Sequence, residues 1–259
     1  MPDPMHFEKH AEAYDRGRPP YPAALWEWLR EHGLLRAEAR VLDLGAGTGL
    51  ATGPLLTAGA SVVAVEPGAA LADHLRRRWP AATVLIGDAE TAPLPASAFD
   101  LAVVATAVHW FDLDVVLPRV HRALIPSGHL AVWRNAFGDP SVPRTPFRER
   151  VEAIVAQRDR PRPFSNEFDT ENWATRLAAT GHFIRTHIEH FRWSVDLDAD
   201  QIHDLFTTFS DWNAAEVDQA ATAVRDLGGR VVEHYVTPLI VLRAATTAQD
   251  EPVRAASQA

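Results

Sequence analysis

The most constraining stretch of this chain is Val41-Leu42-Asp43-Leu44-Gly45-Ala46-Gly47-Thr48-Gly49. An apolar run with one embedded acid gives way to glycines at alternate positions. Such a run reads as strand, tight turn and helix start, the first unit of a nucleotide-binding α/β sheet. Gly45 and Gly47 have no Cβ, so the backbone there can turn sharply and approach a ligand closely. A dinucleotide fingerprint, G-x-G-x-x-G, requires glycine at position 50, where this chain has Leu50. Asp43 within the strand would repel a pyrophosphate and welcome an ammonium group. The ligand implied is a nucleoside carrying an ammonium and a carboxylate.

The run Asp43-Leu44-Gly45-Ala46-Gly47-Thr48-Gly49 resembles motif I of class I S-adenosylmethionine-dependent methyltransferases. S-adenosylmethionine also fits the ligand just described. The resemblance extends over residues 10–135. It implies an α/β fold: a Rossmann-like, mostly parallel sheet of seven strands with an inserted cap. Gly45, Ala46 and Gly47 would then line the cofactor, with Asp43 facing its ammonium. Glu66 and Pro67 close the second apolar run, where such folds place an acid that accepts hydrogen bonds from ribose. Asp88 matches the acid that accepts from the adenine amino group, and the Ala89 amide would contact the ring.

The segment Tyr14-Asp15-Arg16-Gly17-Arg18-Pro19-Pro20-Tyr21-Pro22 resembles the opening segment of a small-molecule, methyltransferase type 11-like subgroup. There it is expected to close on the methionine end of the cofactor, which adds Tyr14, Arg18 and Tyr21 to the cofactor set. Taken alone, the prolines would make it a surface linker.

The fourth apolar run ends at Ala105 and leads into His109 and Trp110. Ligands of open α/β sheets bind beyond the carboxyl ends of the strands, so Ala105 and Trp110 join the cofactor set. His109 is the candidate general base, because an imidazole titrates near neutral pH. A hydrogen-bonding role in shaping the pocket is the alternative. Trp110 would wall the pocket and could attract a sulfonium through its ring face. His109, Trp110, Trp133 and Asn135 form the expected acceptor side. Enzymes of this resemblance that methylate nucleic-acid amines or protein amides carry an Asn/Asp-Pro-Pro-aromatic segment at residues 106–111. Its absence points to a small-molecule acceptor, and Trp173, Phe191, Trp193 and Trp212 further along favour an apolar or aromatic one. Phe164 and Phe168 belong to the same aromatic set.

Composition narrows the remaining choices. The chain has 259 residues and a net charge of -9, unlike the basic footprint of a nucleic-acid binder. It has no cysteine, which excludes disulfides, thiolate metal sites and radical use of the cofactor through an iron-sulfur cluster. No histidine spacing signals a metal. The N-terminus lacks the apolar region of a signal peptide, and the run near Leu101–Val108 is too short to span a bilayer. A cytoplasmic enzyme without membrane contact is expected.

The expected organisation is a lid over residues 1–22, a cofactor-binding core over 23–135 and a substrate cap inserted over 136–228. A last core strand over 229–243 and a disordered tail from 244 follow. Residues 136–170 read as irregular, with Arg158, Arg160 and Arg162 in a solvated loop; binding of an acidic substrate is the alternative for these arginines. Other chemistry on the same cofactor, a nicotinamide-dependent oxidoreductase and a non-catalytic binding protein are the competing readings. Leu50 and Asp43 speak against the oxidoreductase.

Overall fold

The computed structural model describes residues 16–158, 169–209 and 211–246. Tyr14, Arg160, Arg162, Phe164 and Phe168 lie outside the described residues, as does most of the expected tail.

The chain enters through α1 (Ala23–Glu31), whose Leu25, Trp26 and Leu29 are buried. A Rossmann-like alternation follows: β1 (Arg40–Leu44), α2 (Thr52–Thr57), β2 (Ser61–Glu66), α3 (Ala69–Arg78), β3 (Thr83–Ile86) and β4 (Phe99–Ala105). Then come α4 (Leu113–Ala123), β5 (Leu124–Trp133), the short β6 (Ala136–Phe137) and α5 (Pro146–Ala156). The chain ends with α6 (Thr170–Ala178), β7 (Phe183–Asp198), α7 (Ala199–Thr207), α8 (Ala214–Asp226) and β8 (Arg230–Ala244).

β3, β2, β1, β4 and β5 lie side by side and parallel, in that order. β8 runs antiparallel to β5, and β7 pairs antiparallel along the other side of β8. Among the described residues the sheet has eight strands where seven were expected. The additional one is β6, which pairs only Ala136 with Val236 and Phe137 with Tyr235. β5 starts at Leu124, because Ile125–Gly128 stay in the strand and the register shifts against Phe99–Leu101.

Two apolar layers cover the sheet. One face packs Leu42, Val65, Val104 and Val132 with Leu117 of α4 and Leu177 of α6. The other packs Val41, Val62, Leu101 and Val103 under Leu25 and Leu29 of α1. Strands buried on both faces need continuous apolar runs, and β4 has one.

β7 and β8 form a ribbon about 50 Å long at ~3.3 Å per residue. Its lower half, Phe183–His190 against Pro238–Ala244, completes the sheet. Its upper half rises past the sheet and carries α5, α7 and α8 on a third core of Phe147, Ile202, Phe206, Val217 and Val224. The segment 136–228 is therefore not wholly a cap. α6 and the lower half of β7 belong to the core, since Ala174, Leu177 and Phe183 pack with the sheet. α5 replaces part of the expected irregular stretch: Thr145 caps its N-terminus by accepting the Arg148 amide at 3.2 Å.

Candidate active site

A cavity of about 660 Å³ opens between the C-terminal ends of β1, β2 and β4 and the cap. Its volume falls within the range of about 300–1,000 Å³ usual for small-molecule sites.

The glycine loop forms one wall. Gly45 and Gly47 have φ of 67° and 57°, the left-handed region that side chains with a Cβ rarely adopt. A Cβ at Gly45 would stand 2.5 Å from that of Ala107, so the turn after β4 lies directly on the loop. Glu66, buried at the end of β2, clamps this loop. Its Oε2 accepts the Gly47 amide at 2.8 Å and its Oε1 the Gly68 amide at 2.9 Å. A carboxylate oxygen carries two lone pairs, so one backbone bond does not saturate it.

Two members of the expected cofactor set sit behind this wall. Asp43 is fully buried and does not line the cavity. Its Oδ2 accepts the Thr52 hydroxyl at 2.7 Å, while Oδ1 has no hydrogen-bond partner among the described residues. Burial pushes its carboxyl up to about 7 against the Thr52 bond, with the Glu66 charge adding to the rise. Asp43 thus lies beneath the loop, tied to Thr52 of α2. Ala46 likewise turns inward and packs against Ala64 and Leu75.

Pro67, Asp88 and Ala89 line the same end of the cavity, together with Leu71. The Asp88 carbonyl also accepts the Thr91 and Ala92 amides, so the residue shapes its turn as well. Glu90 lines this end and accepts the Asp112 amide at 3.0 Å.

Ala105, His109 and Trp110 face the middle of the cavity. The rings of His109 and Trp110 lie 4.8 Å apart in a short 3-10 turn. His109 is exposed to the cavity yet enclosed by its walls, which push the imidazole down to about 4; the Arg134 and Arg18 cations lower it further. It is neutral at pH 7, and so weak a base draws protons poorly there. Thr106 has φ of 65°, costly for a β-branched residue. Its hydroxyl pairs with the Tyr21 hydroxyl at 3.0 Å.

The N-terminal segment closes the cavity from above. Arg16 pairs with Asp204 of α7 at 2.9 Å, and a Cβ on Gly17 would meet the Asp204 carbonyl carbon at 2.5 Å. Arg18 and Tyr21 line the cavity. Arg18 lies 4.9 Å over the Phe209 ring and donates to the Thr208 carbonyl at 3.4 Å. Asn135 also lines the cavity, but it works as a tie. Its amide donates to the Pro19 carbonyl at 3.2 Å, while its oxygen accepts the Thr237 hydroxyl at 2.8 Å.

Trp133 is not on the acceptor side. It is 1% exposed and packs edge-on against Tyr21 and Trp26, each 5.7 Å away. Successive strand residues point to opposite faces, and its neighbour Arg134 reaches the cavity instead. The cap wall comprises Phe137, Phe209, Trp212 and Tyr235. Of these only Trp212 had a place in the expected aromatic set.

Residues 42–132 match the methyltransferase domain family Methyltransf_11. The chain is 44% identical over 132 residues to an uncharacterised methyltransferase of Mycobacterium tuberculosis, covering 51% of this chain and 53% of the relative. It thus spans about half the length of such curated relatives. A methyltransferase-like protein of Schizosaccharomyces pombe is 27% identical over 205 residues, covering 79% of this chain and 77% of its own. Among solved structures, a protein assigned as a type II methyltransferase from Anaeromyxobacter dehalogenans superposes with a TM-score of 0.63. It is 24% identical and covers 87% of this chain and 97% of its own. That likeness concerns the fold.

Proposed function

We propose that this chain, whose residues 42–132 match a methyltransferase domain family, is an S-adenosylmethionine-dependent methyltransferase acting on a small molecule. The observation that carries the reading is one cavity with two chemically distinct ends. The glycine loop, Glu66 and Asp88 stand at one end; an aromatic cap wall stands at the other.

The residues present fit this cofactor. The close approach of Gly45 to the turn after β4 leaves a backbone cradle where side chains have no room. Glu66 offers lone pairs to ribose hydroxyls, and Asp88 and Ala89 offer an acceptor and an amide to an adenine edge. When bound, the cofactor supplies a methyl group already activated by a positively charged sulfur. The protein must then hold the acceptor in line and keep water out. Ala105, Thr106 and Trp110 form the floor where the two ends meet, and the Arg16–Tyr21 segment roofs it. His109, neutral and weakly basic, shapes this floor rather than removing a proton.

The test is incubation of the protein with methyl-labelled S-adenosylmethionine and a panel of small acids, phenols and amines. Label transferred to an acceptor, with S-adenosylhomocysteine as co-product, is the expected result. Methylthioadenosine as the product would instead mean cyclisation or cleavage of the cofactor.

A further inference from the structure

Thr237 stands within β8, fully buried, and does not line the cavity. Its hydroxyl joins the cap to the roof. The pairing of Trp133 with Leu239 and of Ala136 with Val236 brings Asn135 opposite Thr237 on one side of β8. On the other side Trp193 of β7 pairs with Tyr235, and Thr237 lies two residues further along the same face. Trp193 Nε1 donates to the Thr237 hydroxyl at 2.9 Å, and that hydroxyl donates to Asn135 Oδ1 at 2.8 Å. The Asn135 amide nitrogen donates in turn to the carbonyls of Pro19 and Pro20, at 3.2 and 3.4 Å.

The groups at its two ends fix the direction of this chain. An indole N–H can only donate, and a carbonyl oxygen can only accept. Thr237 must therefore accept from Trp193 and give its own proton to Asn135. Asn135 must turn its amide nitrogen toward the prolines, since a flipped amide would set its oxygen against two carbonyl oxygens. Pro19 and Pro20 have no N–H of their own to donate to the sheet. A hydroxyl at position 237 serves both neighbours, accepting on one side and donating on the other.

The chain reaches both the cap wall and the roof. Trp193 stacks on the Tyr235 ring at 4.8 Å, and Tyr235 lines the aromatic wall. Pro19 lies between Arg18 and Tyr21, and all three line the cavity. Away from water such hydrogen bonds strengthen, and an unpaired member becomes costly.

We infer, on the premise of the methyltransferase reading, that Thr237 is a positioning residue. It touches neither cofactor nor acceptor. Acting through Asn135, it holds the Arg18–Tyr21 stretch shut over the bound cofactor.

Hydrogen exchange and the release of S-adenosylhomocysteine test this. Thr237→Val keeps the side-chain shape and removes the hydroxyl. Exchange at Gly17, Arg18 and Tyr21 of the free protein should quicken about tenfold, or roughly 1.4 kcal/mol. Release of S-adenosylhomocysteine, followed by stopped-flow tryptophan fluorescence, should quicken by a similar factor. Thr237→Ser keeps the hydroxyl and should stay near wild type in both readouts. Asn135→Asp keeps the acceptor for Thr237 but sets an oxygen against the proline carbonyls, so it should loosen the same stretch. Wild-type exchange there in either Thr237→Val or Asn135→Asp overturns the inference. So does a rise in exchange over α7, α8 and β8 that equals the rise in the roof, which would make Thr237 a packing residue alone. Unchanged release from a loosened roof overturns it as well. Should Thr237→Val not fold, Asn135→Asp decides. A wild-type protein that does not bind S-adenosylhomocysteine would sink the methyltransferase reading, while exchange would still decide whether Thr237 holds the roof.

Discussion

Glu66 accepts the backbone N–H of Gly47 at 2.8 Å, so the acid at the end of β2 holds the glycine loop in place. The loop and the proposed ribose acceptor are thus one unit. Glu66→Ala would strand the Gly47 and Gly68 amides, costing about 1–3 kcal/mol of stability. It should also weaken S-adenosylhomocysteine about tenfold or more, since a lost hydrogen bond to a charged group is worth roughly 1.5–3 kcal/mol. Glu66→Gln keeps one carbonyl acceptor and should lose less on both counts. Urea titration and calorimetry of the two variants check this. An alanine variant with wild-type stability and affinity would contradict it.

Gly17 touches the backbone of α7 with no space for a methyl group, its virtual Cβ lying 2.5 Å from both the Asp204 carbon and the Leu205 nitrogen. Gly17→Ala should lift the N-terminal segment off the cap. Hydrogen exchange should quicken over residues 16–21, and cofactor affinity should fall, while the global unfolding midpoint changes little. Unchanged exchange in that segment would remove its role as the cavity roof.

In the cap, Arg148 pairs with Glu233 at 2.5 Å and lies over the Phe137 ring at 3.2 Å. Glu233 is fully buried, and its second oxygen has no partner among the described residues. Removing one partner of a buried pair typically costs about 3–5 kcal/mol. Arg148→Met should therefore destabilise by about that amount. Adding Glu233→Leu should restore most of it, since a packed apolar pair has no stranded charge. A single variant with a wild-type urea midpoint would show that the pair contributes nothing.

Asp43 and His109, on either side of the loop, pull stability in opposite directions with pH. Asp43 is raised in the folded protein from 3.8 to about 7. It contributes stability that is fully present below pH 3.8 and lost as pH rises through about 7. His109 is lowered from 6.5 to about 4, so its contribution is present above pH 6.5 and lost as pH falls through about 4. Asp43→Asn keeps an acceptor for the Thr52 hydroxyl and deletes only the first effect. The stability of Asp43→Asn relative to wild type should therefore grow between pH 5 and pH 8. A difference that stays flat over that range would mean Asp43 ionises normally.

What could be read from the chain followed from locality. The glycine loop was legible because positive φ is a property of single residues, and Gly45 and Gly47 adopt it. β4 was legible because a strand covered on both faces must be apolar throughout. α5 was missed amid the prolines and arginines around it. Its signal was Thr145-Pro146, a capping residue followed by proline at the first helical position, with Phe147, Val151, Ile154 and Val155 on one face. Trp133 and Arg134 were confused because one residue of strand register decides which of them faces the core. Asp43 sits in the predicted strand, but its depth below the loop follows from the packing of α2, whose Thr52 it meets. Arg134, Phe209 and Tyr235 meet across a cavity that forms only when the β7–β8 ribbon carries the cap over the sheet. Nothing local in the chain marks such a convergence.

The central claim is that the glycine loop, Glu66 and Asp88 bind S-adenosylmethionine. The most direct test is parallel calorimetric titration of the protein with S-adenosylmethionine, S-adenosylhomocysteine and NAD. Binding of both sulfur nucleosides with a Kd on the order of micromolar, about -8 kcal/mol, and no heat from NAD is the predicted result. Binding of NAD alone would contradict the account and every site assignment built on the loop.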